Sequence, residues 1–214
     1  GDGGYTFEQT SEAKSLSGGV SHLFGVGPFT MRYGAELYDS TSWNVARYFN
    51  RPADDLISEY GYPSDWRAAR LYADATLDVS NDLKLQAGAY YSWFDSKSGT
   101  LEEVDPRFGI AWTPVENHWL RAAYRRDTQY PVTQTLSPVS TVGLVPLSIP
   151  LFIQGEKDTT MVRWDAEWSD RFFTSLDYQH VTFDGSSIGA PGFASAFETA
   201  TGEIDRVNVS ANYW

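Results

Sequence analysis

The chain contains no cysteine, which excludes a disulfide framework, a thiol nucleophile and a cysteine zinc site. It has only three histidines, and neither a metalloprotease HExxH nor an EF-hand loop can be found. Basic residues are scarce, 16 against 28 acidic ones, giving a net charge of −12. That balance excludes a nucleic-acid-binding face, which needs clustered positive charge. No run of about 18 apolar residues exists, so no transmembrane helix is expected. There is no tandem repeat, low-complexity tract or sharp domain boundary, and 214 residues suit one all-β domain or barrel. The chain begins at Gly1 without a signal peptide, as expected of a processed protein or a fragment.

Aromatic residues are plentiful: 8 Trp, 13 Tyr and 12 Phe, 15 % of the chain. Tyr and Trp combine an apolar body with a polar tip, which suits a membrane–water boundary. Their order is more telling than their number. In 162–169, Val162, Trp164, Ala166 and Trp168 alternate with Arg163, Asp165, Glu167 and Ser169. After a polar corner, Thr174, Leu176 and Tyr178 alternate with Ser175, Asp177 and Gln179. A period of two puts alternate side chains on opposite faces of a strand. One face is therefore apolar and the other charged.

The same pattern recurs along the chain. Ser15 to Phe24 reads as a strand, with 5–10 as an extended start, and the returning strand carries Phe29, Met31, Tyr33, Ala35 and Leu37 on one face. Leu71 to Val79 and Leu83 to Trp93 form the clearest hairpin, joined at Ser80-Asn81-Asp82. A helix over 66–77 would mix Leu with Asp and Arg on one face, whereas a strand separates them. Arg107 to Thr113 and Leu120 to Arg125 form another hairpin, turning at 114–117, and Arg206 to Tyr213 forms a last strand. Between these lie segments read as long loops: Asp39–Trp66, Asp95–Glu103, Thr128–Lys157 and 184–202. The apolar stretch VGLVPLSIPLFI in the third is expected to fold back over something rather than lie in water.

About nine or ten strands joined by alternately short and long connections predict an all-β fold. We expect an antiparallel up-and-down transmembrane β-barrel, or an open segment of a larger one, as a single unit over 1–214. Trp93, Trp112, Trp119, Trp164, Trp168, Phe172 and Tyr213 are candidates for interfacial aromatic girdles. Candidates for lining a wet lumen are Arg32, Glu36, Arg70, Asp74, Arg107, Arg121, Arg125, Arg163, Asp165, Glu167, Asp177 and Arg206. Ions in such numbers would each cost several kcal/mol, on the order of their desolvation, in a dry core. Arg121, Arg125, Arg126, Arg163 and Arg206 either form a basic strip that biases anion passage or pair across strands with Asp165, Glu167 and Asp74. The plainer alternative is a soluble β-sandwich whose charged face meets water. Trp214 falls in the register of Asn212 and Ser210, so the terminal aromatic of an outer-membrane barrel is out of phase, which points to a chain continuing beyond it.

Chemistry is harder to find. Ser175 and Asp177 share a face opposite His180, which argues against a hydrolytic triad. Glu102, Glu103 and Asp105 read as a solvated acidic loop before a cation site. No catalytic, cofactor-binding or metal residue is assigned, and no enzyme activity is expected.

The segment around Pro106-Arg107-Phe108-Gly109, Ala111-Trp112 and Leu120-Arg121-Ala122-Ala123-Tyr124, followed by a Pro-containing loop and Gln134-Thr135-Leu136, resembles TonB-dependent-receptor-like outer-membrane barrels. The hairpin at Trp164 to Trp168 continues the likeness. It also looks like the barrels of outer-membrane proteins that carry tetratricopeptide repeats. The resemblance implies a bacterial outer membrane, contact with lipid and lipopolysaccharide, and uptake or passage of an unknown solute. It implies TonB as partner only through an upstream region, because neither a plug domain nor a TonB box is visible. The second resemblance implies instead a structural or secretion barrel attached to a periplasmic repeat domain.

Overall fold

A computed structural model describes residues 5–50, 55–96, 99–128, 135–146, 152–189 and 197–213. These form nine antiparallel strands: β1 Tyr5–Val26, β2 Phe29–Asn50, β3 Asp55–Asp78, β4 Leu83–Ser96, β5 Gly99–Val115, β6 His118–Thr128, β7 Phe152–Ser169, β8 Phe172–Gly189 and β9 Phe197–Tyr213. They lie in one sheet in chain order, each bonded to the strand before and after it. There is no helix among the described residues, and no second sheet covers the first. The all-β up-and-down expectation holds, and the two-layered sandwich does not.

The turns joining β1 to β2, β3 to β4, β5 to β6 and β7 to β8 lie at one end of the sheet. Gly27 takes a positive φ of 55° between β1 and β2, and Asn117 a φ of 65° between β5 and β6. Gly and Asn are residues that tolerate this region.

The register puts Leu37, Leu71, Leu85, Tyr91, Phe108, Ile110, Trp112, Val162, Leu176 and Val209 on one face, and all of them are solvent-exposed. Along that face, moving away from the short turns, the first ion on each strand marks a common level. Histidines aside, it is Lys14, Asp39, Arg67, Asp95, Glu102, Arg126 and Asp158 on β1 to β7 and Asp205 on β9, with His180 of β8 at the same level; His22 and His118 lie nearer the short turns. These side chains form a collar. Arg67 bonds Asp39 at 2.9 Å, Arg126 bonds Asp158 at 3.0 Å and His180 meets Asp205 at 2.9 Å. Below it, Tyr91, Tyr124 and Tyr178 donate to Glu102 (3.1 Å), Asp158 (2.5 Å) and Asp205 (2.7 Å). The ring stays in the apolar band while the hydroxyl reaches the collar. On β4 the band runs from Leu83 to Trp93. Ten steps of about 3.4 Å at roughly 45° tilt give a height of about 24 Å.

The strands are longer than their hydropathy suggests. The expected loop 39–66 is in fact paired sheet: β2 continues to Asn50 and β3 begins at Asp55, with a bulge at Tyr48/Phe49. β4 and β5 also extend to Ser96 and back from Gly99, and β8 and β9 occupy much of the expected loop 184–202. The reason is a change of polarity above the collar. There every charged residue of 7–17, 38–50 and 58–68 (Glu8, Glu12, Lys14, Asp39, Arg47, Glu59, Asp65 and Arg67) sits on the outer face. Ser, Asn, Gln and aromatic residues occupy the inner face. Side chains still alternate, but polar faces polar, and the apolar–charged signal disappears.

Candidate functional site

All twelve charged candidates fall on one face by register, opposite the apolar band. The face is not empty. Residues 135–146, from the β6–β7 connection, lie across it as a strap, held chiefly through the strap's own backbone.

Glu36 on β2 is 2 % exposed and receives one end. Its carboxylate accepts from the Thr135 hydroxyl at 2.9 and 3.0 Å, from the Leu136 amide and from the Ser137 amide at 2.8 Å. Arg32, four residues back on the same face, donates to the Leu136 carbonyl at 2.7 Å, and Tyr72 of β3 reaches the same oxygen at 3.4 Å. The middle of the strap is held by β4 to β6. Tyr90 and Arg107 both donate to the Pro138 carbonyl, Arg107 also to Ser140, and Arg125 to Val139 at 2.6 Å. Charge-assisted bonds of this kind are the stronger class of hydrogen bond.

Arg107 is the centre of the arrangement. It is 1 % exposed and its Nε lies 3.1 Å from Asp74, itself 6 % exposed. Gln86 donates to the other Asp74 oxygen at 2.5 Å, while its own carbonyl accepts from the Val142 amide. One buried ion pair and two aromatic hydroxyls thus join β3, β4 and β5 to the strap.

The strap ends in a tight turn. Thr141 and Leu144 exchange backbone bonds of 2.9 and 2.8 Å around Val142 (φ 44°) and Gly143 (φ 80°). Two central residues at positive φ define a type I′ geometry. A β-branched residue is strained there, so Val142 is held by its surroundings: Gln86 takes its amide and its side chain rests beside a buried nest of Ala123, Leu144 and Met161. Close approach requires glycine beneath it. A Cβ on Gly109 would lie 2.7 Å from Thr141 and 2.9 Å from Val142. Likewise a Cβ on Gly34 would lie 2.5 Å from the Tyr72 hydroxyl.

The expected fold-back of the apolar stretch holds for Val142 and Leu144; its residues 147–151 lie outside the described residues. The arginines pair across strands only in part. Arg121 of β6 reaches Asp165 of β7, which Arg163 bonds along its own strand; Arg125 meets Asp127 of its own strand, and Arg126, on the other face, bonds Asp158 across β6 and β7. Glu102 and Asp105 do not gather at one site: Glu102 takes Tyr91, and buried Asp105 takes the Thr128 hydroxyl at 2.8 Å and its amide at 3.1 Å. Ser175 bonds Ser210 while His180 bonds Asp205 on the opposite face, so the three do not meet. Among the described residues no group of His, Asp and Glu is arranged to hold a metal.

Of the aromatic candidates, Trp93, Trp112, Trp164, Phe172 and Tyr213 share the apolar face. Trp168 joins them through His118 and Trp164, at centroid distances of 5.1 and 6.0 Å. Trp119 differs. It alternates with Leu120 and pairs with Asp165, so it stands on the charged face beside a groove of about 760 Å³ at the short-turn end. Sequence reading missed Tyr72, Tyr90 and Gln86 as anchors. The available signal was glycine on the charged register at 19, 34, 88 and 109, which leaves room for something above the sheet.

No protein-family model matches the chain, and no curated protein does. Solved structures match in fold. The ferric preacinetobactin receptor BauA from Acinetobacter baumannii superposes with a TM-score of 0.56 at 10 % identity, over 97 % of this chain and 34 % of that one. The ferric citrate transporter FecA in its unliganded form gives 0.54 at 11 %, over 99 % and 33 %. The ferric-catecholate import receptor Fiu from K12 E. coli gives 0.52 at 12 %, over 95 % and 35 %. The chain spans about a third of the length of these proteins. At this identity the likeness is one of fold: an up-and-down antiparallel sheet of the outer-membrane barrel kind.

Proposed function

We propose that the nine strands are wall of a bacterial outer-membrane β-barrel through which a solute passes, and that the strap narrows the passage. The observation that carries this reading is the apolar face. A band about 24 Å high without Asp, Glu, Lys or Arg among the described residues, bounded by one collar of charge, matches the roughly 25 Å lipid-facing belt of such barrels. The charged face opposite it is then the lumen wall, where the twelve candidate residues meet water or the strap. The girdle aromatics meet lipid and lipopolysaccharide at the boundaries. β1 and β9 each have one edge without a partner strand among the described residues. Unpaired edges are not tolerated in hydrocarbon. Closure through further strands, of this polypeptide or another, is part of the proposal. The named neighbours are receptors and a transporter, which favours uptake in the manner of TonB-dependent receptors, with TonB as partner and the solute open.

Fractionation and vesicle permeability test the reading. The protein should stay in outer-membrane vesicles after alkaline carbonate extraction. Deleting 135–146 should raise the rate of sugar-driven swelling of reconstituted liposomes. A protein released by carbonate, or purified as a monomer without detergent, overturns it.

A further inference from the structure

Above the collar, β1 to β3 stand clear of the apolar band as a tall sheet whose inner face, among the described residues, carries a single ion, Asp55, opposite Asn50 at the far tip. Phe7, Tyr48, Tyr60 and Tyr62 form a continuous ladder across the three strands on that face. Ring centroids are 5.0 Å apart for Phe7–Tyr48 and 6.1 Å for Tyr48–Tyr60 and Tyr60–Tyr62. The last two pairs are near parallel, at 20° and 28°. Phe7, Tyr60 and Tyr62 are 43, 49 and 40 % exposed, so the rings are open rather than spent in a core. Trp66 continues the aromatic surface toward Phe94, at 5.8 Å. Between the rings the inner register supplies only Ser, Ala, Asn and Gln, apart from Tyr38 near the collar.

The composition selects a ligand class. Among the described residues an anionic ligand would meet no cation here, and a cationic one only Asp55 at the tip, although the same strands carry eight ions on their other side. A purely apolar partner would leave the hydroxyl and amide groups without bonds. A sugar ring fits both features, with an apolar C–H face to lie on an aromatic ring and a rim of hydroxyls to exchange bonds with Ser, Asn, Gln and Tyr. Burial of large rings costs little side-chain entropy, which makes Tyr and Trp efficient contact surfaces. The hydrogen bond between Tyr48 and Tyr60, at 3.4 Å, raises the Tyr60 pKa above its ordinary value.

We infer that this inner wall binds an uncharged oligosaccharide, with the rings of Phe7, Tyr48, Tyr60 and Tyr62 as its stacking platform. The inference rests on the outer-membrane reading only in that the wall stands in water beyond the lipid. It names the chemistry of what that barrel meets first.

Isothermal titration of the full chain in detergent tests it, using maltohexaose, cellohexaose and chitohexaose as neutral probes and hexagalacturonate as the anionic one. At least one neutral hexasaccharide should bind, and hexagalacturonate should not compete with it. Tyr60→Ala with Tyr62→Ala should weaken binding at least about tenfold, while Tyr60→Phe with Tyr62→Phe should retain most of it. Heat-modifiable gel migration checks that each variant is folded. Absence of binding by all three neutral sugars, equal binding of hexagalacturonate, or an unchanged affinity in the folded double-alanine variant overturns the inference. The neutral–anionic comparison needs no variant. Failure of the barrel reading is seen separately, as release by carbonate with sugar binding intact.

Discussion

The inner face of this sheet has two regions made by the same strands in the same register, and they are chemical opposites. Below the collar it carries Arg32, Glu36, Asp74, Arg107 and Arg125, bonded to a strap. Above the collar, on β1 to β3, it carries rings, hydroxyls and amides, and among the described residues every ion but Asp55 at the tip has moved to the outer side. On the proposed reading, what changes is the medium outside the sheet. Where hydrocarbon lies outside, an ion has only the inner face to occupy, and there it needs a partner or water. Where water lies outside, ions can be shed outward, and the inner face is free for contact with an uncharged ligand. Polarity of a strand face is thus read against its surroundings, and a reversal along one strand marks a boundary.

Several changes would break or sharpen that contrast. The largest effect belongs to Arg107→Leu, which leaves Asp74 buried without its counter-ion. We expect a loss of about 3–5 kcal/mol, read from the urea midpoint of unfolding in lipid or detergent. Next comes a paired test of the boundary. Ala89→Arg, on the outer face within the band, should cost about 2–4 kcal/mol, whereas Val45→Arg, on the same face above the collar, should stay within about 0.5 kcal/mol. Equal costs at the two positions would remove the lipid from the explanation. Glu36→Gln retains the shape but weakens the charge-assisted bonds to the strap. A loss of about 1.5–3 kcal/mol of local stability should appear as faster hydrogen exchange at the Leu136 and Ser137 amides, with the sheet amides little changed. The smallest effect should come from Arg47→Ala. It removes an exposed 2.7 Å pair with Glu59 above the collar, and the midpoint of the same urea titration should scarcely move.

The apolar band was legible in the sequence because apolar side chains on one side and ions on the other give a period of two in hydropathy as well as in geometry. Leu83 to Trp93 and Val162 to Trp164 show it without ambiguity. The tall hairpin of β2 and β3 was not legible for the reverse reason. At 40–48, Ser, Asn, Ala and Tyr alternate with Thr, Trp, Val and Arg, which keeps the geometric period but loses the contrast. The strap was half legible. Its apolar composition announced burial, but its anchors lie up to 101 residues away, as between Glu36 and Ser137, and no local pattern encodes which strands a connection will cross. Trp119 shows a different limit. Its residue type suggested a girdle, while its place beside Leu120 fixed the opposite face.

The strap also sets an order of events. Every strand pairing joins neighbours in sequence, so hairpins can add one after another as the chain is laid down. Residues 135–146 cannot settle in that way, because their anchors come from β2, β3, β4, β5 and β6 together. Seating is therefore a late step, possible only once five strands stand in correct register, and a slip anywhere among them leaves the turn at Val142 without the contacts that hold it. In this molecule a single stretch of connecting backbone inspects the alignment of more than half the sheet.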